Sequence, residues 1–323
     1  MNTPTRLPRL PSLRDLLMQE DLNFLLTNRI PRIALTHLMG HYSRIRSRWL
    51  TRLSIAVWRR FTDLDLSEAA TQDYDSLHAC FTRSLRPGAR PFVTGDDLLA
   101  SPCDAIVGAC GRIEGQQVWQ AKGFLYSLDE LMGSAELAHR HRNGTFVTLR
   151  LTSAMYHRFH APADLTVERV TYISGDTWNV NPIALRRIER LFCRNERAVI
   201  ETRLQADGSA LTLVPVAAVL VASIRLHWLD VRLHLRYRGP NVIPCSARLA
   251  RGEEMGWFEH GSTILVFVPP GWSLAPGIVN GRRLRAGEPL LQRDQSATKP
   301  DLAITGAQRL AEASPRAASS CAD

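Results

Sequence analysis

The 323-residue chain, 45% hydrophobic and 22% charged, has an ordinary globular composition with room for a sizeable core in one large domain or two small ones. Its formal charge of +9 is carried almost wholly by arginine, which points to anionic partners and leaves any lysine-anchored pyridoxal cofactor dependent on Lys122, since Lys299 lies in a polar tail. The six cysteines form no Cys-x-x-Cys pair and have no histidine at zinc spacing, so they read as reduced thiols rather than a disulfide framework or a zinc site.

The first 29 residues lack a continuous apolar stretch and carry Asp15, Glu20 and Asp21, so no secretory signal is expected there. From Leu13 to about Phe61 apolar residues recur at helical spacing, as in Leu35, Leu38, Met39 and Tyr42 and then Trp49, Leu50, Leu53 and Val57, which predicts amphipathic helices. Between Arg29 and Arg60 there is no Asp or Glu, while Arg32, Arg44, Arg46, Arg48, Arg52 and Arg59 are joined by Trp49 and Trp58. That composition suits a helix lying in the plane of an anionic membrane, and it equally suits a solvated helical face with core tryptophans. A polar helix is expected over Leu66 to Leu85, followed by a loop at Pro87 to Pro91.

From Leu98 to Leu291 short apolar or alternating runs, among them Phe146 to Leu151, Thr166 to Ile173, Ala198 to Leu204 and Thr263 to Val268, predict a largely β core. Leu128 to Arg142 reads as a helix within it. The longest apolar run, Leu211 to Ile224, is broken by Pro215 and falls short of the roughly 20 residues a membrane span needs, so the chain is expected to lie on a membrane rather than cross it. The expected fold is α+β: a helical, membrane-associating region over 1–90, a β-rich catalytic domain over 91–292, and a mobile Ser-, Ala- and Pro-containing tail over 293–323.

Three segments place polar residues in strand-like surroundings. Asp104 stands before the run Ala105 to Gly108, His157 and His160 flank Arg158 and Phe159, and Ser262 follows Gly261 at the entry to Ile264 to Val268. Taken singly, each has a plain structural reading: a turn aspartate, a satisfied histidine pair without the further ligands zinc would need, and a Gly-Ser-Thr turn. Together they supply the parts of an activated nucleophile, and composition leaves open whether they meet.

Longer motifs surround them in order: Phe81-Thr82-Arg83-Ser84-Leu85-Arg86-Pro87, Ala121-Lys122-Gly123-Phe124-Leu125-Tyr126-Ser127-Leu128, Arg142-Asn143-Gly144-Thr145-Phe146-Val147, Tyr156-His157-Arg158-Phe159-His160, Gly175-Asp176, Phe192-Cys193-Arg194-Asn195-Glu196-Arg197 and Gly252-Glu253-Glu254-Met255-Gly256-Trp257-Phe258. From about residue 40 to residue 275 the sequence resembles the bacterial phosphatidylserine decarboxylase proenzymes. The resemblance implies a self-cleavage triad of Asp104, His160 and Ser262. In it His160, oriented by Asp104, acts as base toward the Ser262 hydroxyl, which attacks the Gly261 carbonyl. Ester formation, elimination and hydrolysis would then leave a β chain, 1–261, and an α chain, 262–323, that starts with a covalent pyruvoyl group. This pyruvate-type cofactor derived from Ser262 would form a Schiff base with phosphatidylserine, with His157 transferring the proton and Arg158 a weaker candidate for electrostatic support.

The implied partners are phosphatidylserine in an anionic membrane, at the periphery of its cytoplasmic side, and the two chains of one proenzyme; a homo-oligomer is left open, and neither nucleic acid nor a metal is expected. His260 stands where the family commonly has Leu, and Ala105, like the alanines between Val216 and Ile224, where it has Gly. The competing readings are the same chemistry on a soluble amino acid, a Ser-His-Asp hydrolase, although Ser262 lacks a Gly-x-Ser-x-Gly elbow, and an inactive membrane-binding protein.

Overall fold

The computed structural model describes residues 31–121, 124–218, 223–230, 232–234, 237–259 and 263–294, with 20–21 and 24–25. Most of the expected helix before residue 31, Lys122, and the tail beyond 294 lie outside the described residues.

Two helices come first, α1 (Arg32–Ser43) and α2 (Arg48–Phe61), the second capped by the Ser47 hydroxyl, which accepts from the Leu50 N–H. In α2, Thr51 and Ile55 face inward while Trp58 packs at a tilt against Phe81 with ring centroids 4.4 Å apart. The stripe Trp49, Leu53, Val57 and Phe61 faces solvent, with Trp49 74% and Phe61 66% exposed. An i, i+4 apolar row that points away from the protein is the reverse of a core-packed helix. Beneath α2 a small core of its own gathers Leu64, Leu66, Tyr74, Leu77 and Phe81.

The helix expected over Leu66 to Leu85 is a single turn, α3 (Leu77–Phe81), preceded by bends and an Ala69–Leu85 bridge. Short polar side chains explain the difference: the Asp65 carboxylate accepts from Ser67 N–H and the Thr71 hydroxyl from Asp73 N–H, giving the backbone local partners that compete with a helix.

Among the described residues every paired strand of the β core is antiparallel to its neighbour. Its main sheet runs β12 (Val242–Leu249), β7 (Leu165–Ile173), β8 (Arg197–Leu204), β9 (Ala210–Val216), β14 (Thr263–Val268), β5 (Thr145–Arg150), β2 (Ala105–Arg112) and β16 (Arg283–Leu284). All six residues of β14 are buried, as befits a strand in the middle of a sheet covered on both faces. A second sheet orders β11 (Arg232–Leu233), β10 (Ile224–Leu226), β13 (Glu254–Phe258) and β6 (Arg158–His160), a third β1 (Leu98–Ala100), β17 (Pro289–Arg293) and β15 (Trp272–Leu274), and β3 (Gln117–Ala121) forms a hairpin with β4 (Phe124–Ser127).

The expected helix over Leu128 to Arg142 is split into α4 (Leu128–Met132) and α5 (Ala135–Arg140), because Gly133 adopts a left-handed φ of 67° and the Ser134 hydroxyl starts a new helix by accepting from Leu137 N–H. Two short helices, α6 (Pro182–Arg187) and α7 (Leu191–Arg194), are pinned to β3 by the buried Gln120 amide, which donates to the Leu185 and Ile188 carbonyls and accepts from Leu191 N–H. In β13, Gly256 passes so close to β10 that a Cβ there would sit 2.0 Å from the Arg225 carbonyl oxygen. No helix among the described residues is long and apolar enough to cross a membrane.

Candidate active site

Both histidines come from the short strand β6 and its approach. Its register against β13 pairs Arg158 with Trp257, Phe159 with Gly256 and His160 with Glu254, and it drops Phe159 into the core against Phe258, 5.5 Å away. Alternation along the strand then leaves its neighbours on the other side. His157, just before β6, is fully buried, and its carbonyl accepts from the Phe258 N–H at 3.1 Å. Its ring packs against Phe81, and neither ring nitrogen has a hydrogen-bond partner among the described residues. Burial, assisted by the nearby Arg83 charge, lowers its pKa to about 3; the backbone at Phe81 and Thr152 favours the charged ring slightly without reaching hydrogen-bonding geometry. The ring is therefore neutral at physiological pH.

His160 is held at both nitrogens. Nδ1 lies 2.9 Å from the Gly252 carbonyl, which accepts and never donates, so Nδ1 carries the proton and Nε2 accepts from the Tyr156 hydroxyl at 3.0 Å. Burial holds its pKa below the ordinary histidine value, with the Gly252 carbonyl, Glu254 and Asp104 pulling the other way. The rings of Tyr156 and Phe92 pack on either side of it.

Asp104 precedes β2, and its carboxylate is gripped by Arg90 through two bonds of 2.7 and 2.5 Å and by the Ala286 N–H at 2.9 Å. Arg90 also reaches Glu68, which in turn binds Arg285. Burial alone would weaken the Arg90 charge, but the two carboxylates more than offset it and its pKa rises. Asp104 and Tyr156 line one cleft of about 590 Å³ with Arg83 and Thr152, and the His160 N–H donates to the Pro102 carbonyl two residues before Asp104. Asp104 and His160 are thus neighbours whose side chains share no hydrogen bond: the ring is oriented by Gly252 and Tyr156, and Asp104 acts on it through space. Arg158 is committed elsewhere, bonding both Glu254 oxygens and the Thr82 carbonyl with its guanidinium over the Trp257 ring.

His260, Gly261 and Ser262 lie outside the described residues, but their flanks are defined. On one side β13 ends beside His157, and the buried Glu259 is ion-paired with Arg44, just past the end of α1. On the other, Thr263 opens β14 between Val216 of β9 and Arg150 of β5. The hydroxyls of Thr263 and Ser223 are buried without hydrogen-bond partners among the described residues.

Reasoning from the sequence passed over Tyr156, Arg90, the Arg44–Glu259 pair and Glu196. Tyr156 and Glu196 each carry a signal, as members of the motifs Tyr156 to His160 and Phe192 to Arg197. Glu196 sits buried just before β8, and burial lifts its pKa to about 7, opposed by hydrogen bonding from the nearby Tyr172 hydroxyl.

Comparison with known proteins adds an independent line. The family described as phosphatidylserine decarboxylase matches residues 77–292. Among relatives named phosphatidylserine decarboxylase proenzyme, that of Halorhodospira halophila is 40% identical over 272 residues, spanning 81% of this chain and 90% of the relative. That of Methylibium petroleiphilum is 39% identical over 84% of this chain and 97% of its own. That of Aliivibrio salmonicida is 34% identical over 84% and 98% respectively.

Proposed function

The chain belongs to the phosphatidylserine decarboxylase family, and from that premise we propose a proenzyme that cuts itself between Gly261 and Ser262 and then decarboxylates phosphatidylserine to phosphatidylethanolamine through the new N-terminus. The observation that carries the site assignment is the pair of histidines brought together by β6: one with a lone pair at Nε2 beside a donor hydroxyl, the other neutral, buried and unpartnered beside the strand that leads into the scissile step.

In the self-cleavage step the Tyr156 hydroxyl, which holds the ring in place, gives way at Nε2 to the Ser262 hydroxyl, whose proton His160 accepts there while Nδ1–H stays on the Gly252 carbonyl. The resulting positive ring is stabilised by the Asp104 and Glu254 charges, and Arg90 keeps the Asp104 carboxylate in place. A pyruvoyl group formed from Ser262 supplies a carbonyl that accepts the substrate amine and draws off electrons as carbon dioxide leaves. The nitrogens of His157 and the buried hydroxyls of Thr263 and Ser223 fit such a group and its substrate, because each is a buried polar atom with no partner among the described residues. His157, neutral down to about pH 3, holds the proton for the substrate carbon that loses carbon dioxide.

The solvent-facing stripe of α2, flanked by Arg48, Arg52, Arg59 and Arg60, supports in-plane docking on an anionic leaflet and so a lipid rather than a soluble amino acid as substrate. The enzyme is peripheral, on the cytoplasmic side, with 1–90 as the membrane-associating region, 91–292 as the catalytic domain and 293–323 as a tail. Intact mass tests the cleavage: two chains, the smaller starting at residue 262 as pyruvoyl, with Ser262→Ala remaining whole. An uncut wild-type chain after prolonged incubation sinks the reading. Faster carbon dioxide release from free serine than from phosphatidylserine vesicles would overturn the lipid assignment.

A further inference from the structure

A second cleft, of about 680 Å³, opens on the main sheet and shares no residue with the cleft at Asp104. Arg150, Arg186, Trp119, Thr148 and Asn280 line it, and no Asp or Glu does. Arg150 is the anomaly. It is the last residue of β5, opposite Thr263 on one side and Ile106 on the other, and its guanidinium has no hydrogen bond or ion pair among the described residues. Every influence on its ionisation reduces to burial, which lowers its pKa; no neighbouring carboxylate opposes this. An arginine stays charged in any protein, so a half-buried guanidinium with no counter-charge is a standing cost unless something arrives to meet it.

The rest of the cleft describes what arrives. The Thr148 hydroxyl is buried without a partner among the described residues. Arg186, half exposed and bound to Glu20, and Trp119, 41% exposed, also line the cleft. A carboxylate has two oxygens and cannot engage a guanidinium fork, a second guanidinium, a hydroxyl and an amide together, whereas a phosphate has enough oxygens to do so. We propose that this cleft is a phosphate-binding site, with Arg150 seating the anion, Arg186 and Thr148 completing its hydrogen bonds, and Trp119 covering the organic part of the ligand. The ligand is a phosphate ester such as a lipid head group, or phosphate itself.

The test is calorimetric titration of the purified, processed enzyme with inorganic phosphate, glycerophosphoglycerol, short-chain phosphatidylglycerol below its micellar concentration, and acetate. Saturable phosphate or phosphodiester binding that weakens at least tenfold in Arg150→Met is the expected result, with acetate binding at least tenfold more weakly than phosphate. Tighter binding of the phosphodiesters than of inorganic phosphate identifies a head group as the source; equal binding identifies free phosphate. Arg150→Met is also expected to melt no lower than wild type without phosphate, because it removes an uncompensated charge, and the exposed Arg186→Met provides a second variant whose folding is not in question. Absence of saturable binding, acetate binding as tightly as phosphate, or unchanged affinity in both variants would overturn the proposal. Binding lost in His157→Ala but kept in the arginine variants would place the anion in the catalytic cleft and overturn it as well.

Discussion

Replacing Tyr156 with Phe tests whether Nε2 of His160 is the working base. The substitution deletes one hydroxyl, 3.0 Å from that nitrogen, and leaves the ring that packs against His160 at a centroid distance of 5.7 Å. Burial raises the pKa of the Tyr156 hydroxyl, so it is a fixed donor at neutral pH. A neutral hydrogen bond of this kind contributes about 0.5–1.5 kcal/mol. If its work is to hold the ring toward the serine, self-cleavage slows by roughly 2- to 13-fold. The same bond stabilises the neutral ring, so its loss raises the His160 pKa, and the pH at which cleavage is half-maximal moves up by about half a unit to one unit. The assay is the time course of conversion of one chain into two on a denaturing gel, from freshly isolated proenzyme across pH 5 to 9. An unchanged rate and midpoint would mean the hydroxyl does not touch the working nitrogen. A loss of more than about a hundredfold exceeds a single neutral bond and would make Tyr156 a proton carrier in its own right.

Glu196→Gln is expected to be more stable than the parent on the alkaline side. The folded pKa of about 7 stands above the unfolded value near 4.5, so stability present at low pH is lost as pH rises through 7, by up to about 3 kcal/mol, and glutamine abolishes the loss. Urea unfolding of the uncleaved Ser262→Ala protein with and without the change, at pH 5 and pH 8, reads the difference directly; parallel behaviour at both pH values contradicts it. Gly256→Ala forces a Cβ to 2.0 Å from the Arg225 carbonyl oxygen and should cost at least about 3 kcal/mol, seen as a lowered urea midpoint together with slowed cleavage. Trp49→Ser and Phe61→Ser should leave the melting temperature unchanged while weakening sedimentation with anionic vesicles by roughly tenfold or more each, since burying one such side chain in lipid is worth about 1.5–3 kcal/mol.

Local pattern was a good guide where burial follows from the chain's own periodicity. The apolar run at Thr263 to Val268 is a strand, and the spacing Trp49, Leu53, Val57 is one stripe of a helix. It failed where short polar groups or a single glycine redirect the backbone, as at Asp65 to Asp73 and at Gly133. The contents of the site were visible through the ordered motifs, but its wiring was not. Arg90 grips Asp104 from 14 residues away, beyond β1, and Arg44 reaches Glu259 from more than two hundred residues away; no spacing rule encodes either pair. The exchange of Asp104 for Gly252 and Tyr156 as the groups that orient His160 is likewise a product of how β6 is laid against β13 and the loop before it.

The position of β14 has a consequence for the enzyme's lifetime. A cut before Thr263 hands the smaller chain the strand lodged between β9 and β5, along with β15, β16 and β17, which complete the edge of the same sheet and most of a second. The eight-stranded sheet and the three-stranded sheet are each divided between the two fragments, so the pair stays joined while folded and, once unfolded, must find itself again by diffusion. Refolding that was unimolecular for the proenzyme becomes concentration-dependent for the mature enzyme, so heat inactivation is expected to be irreversible and governed by the rate of first unfolding rather than by an equilibrium.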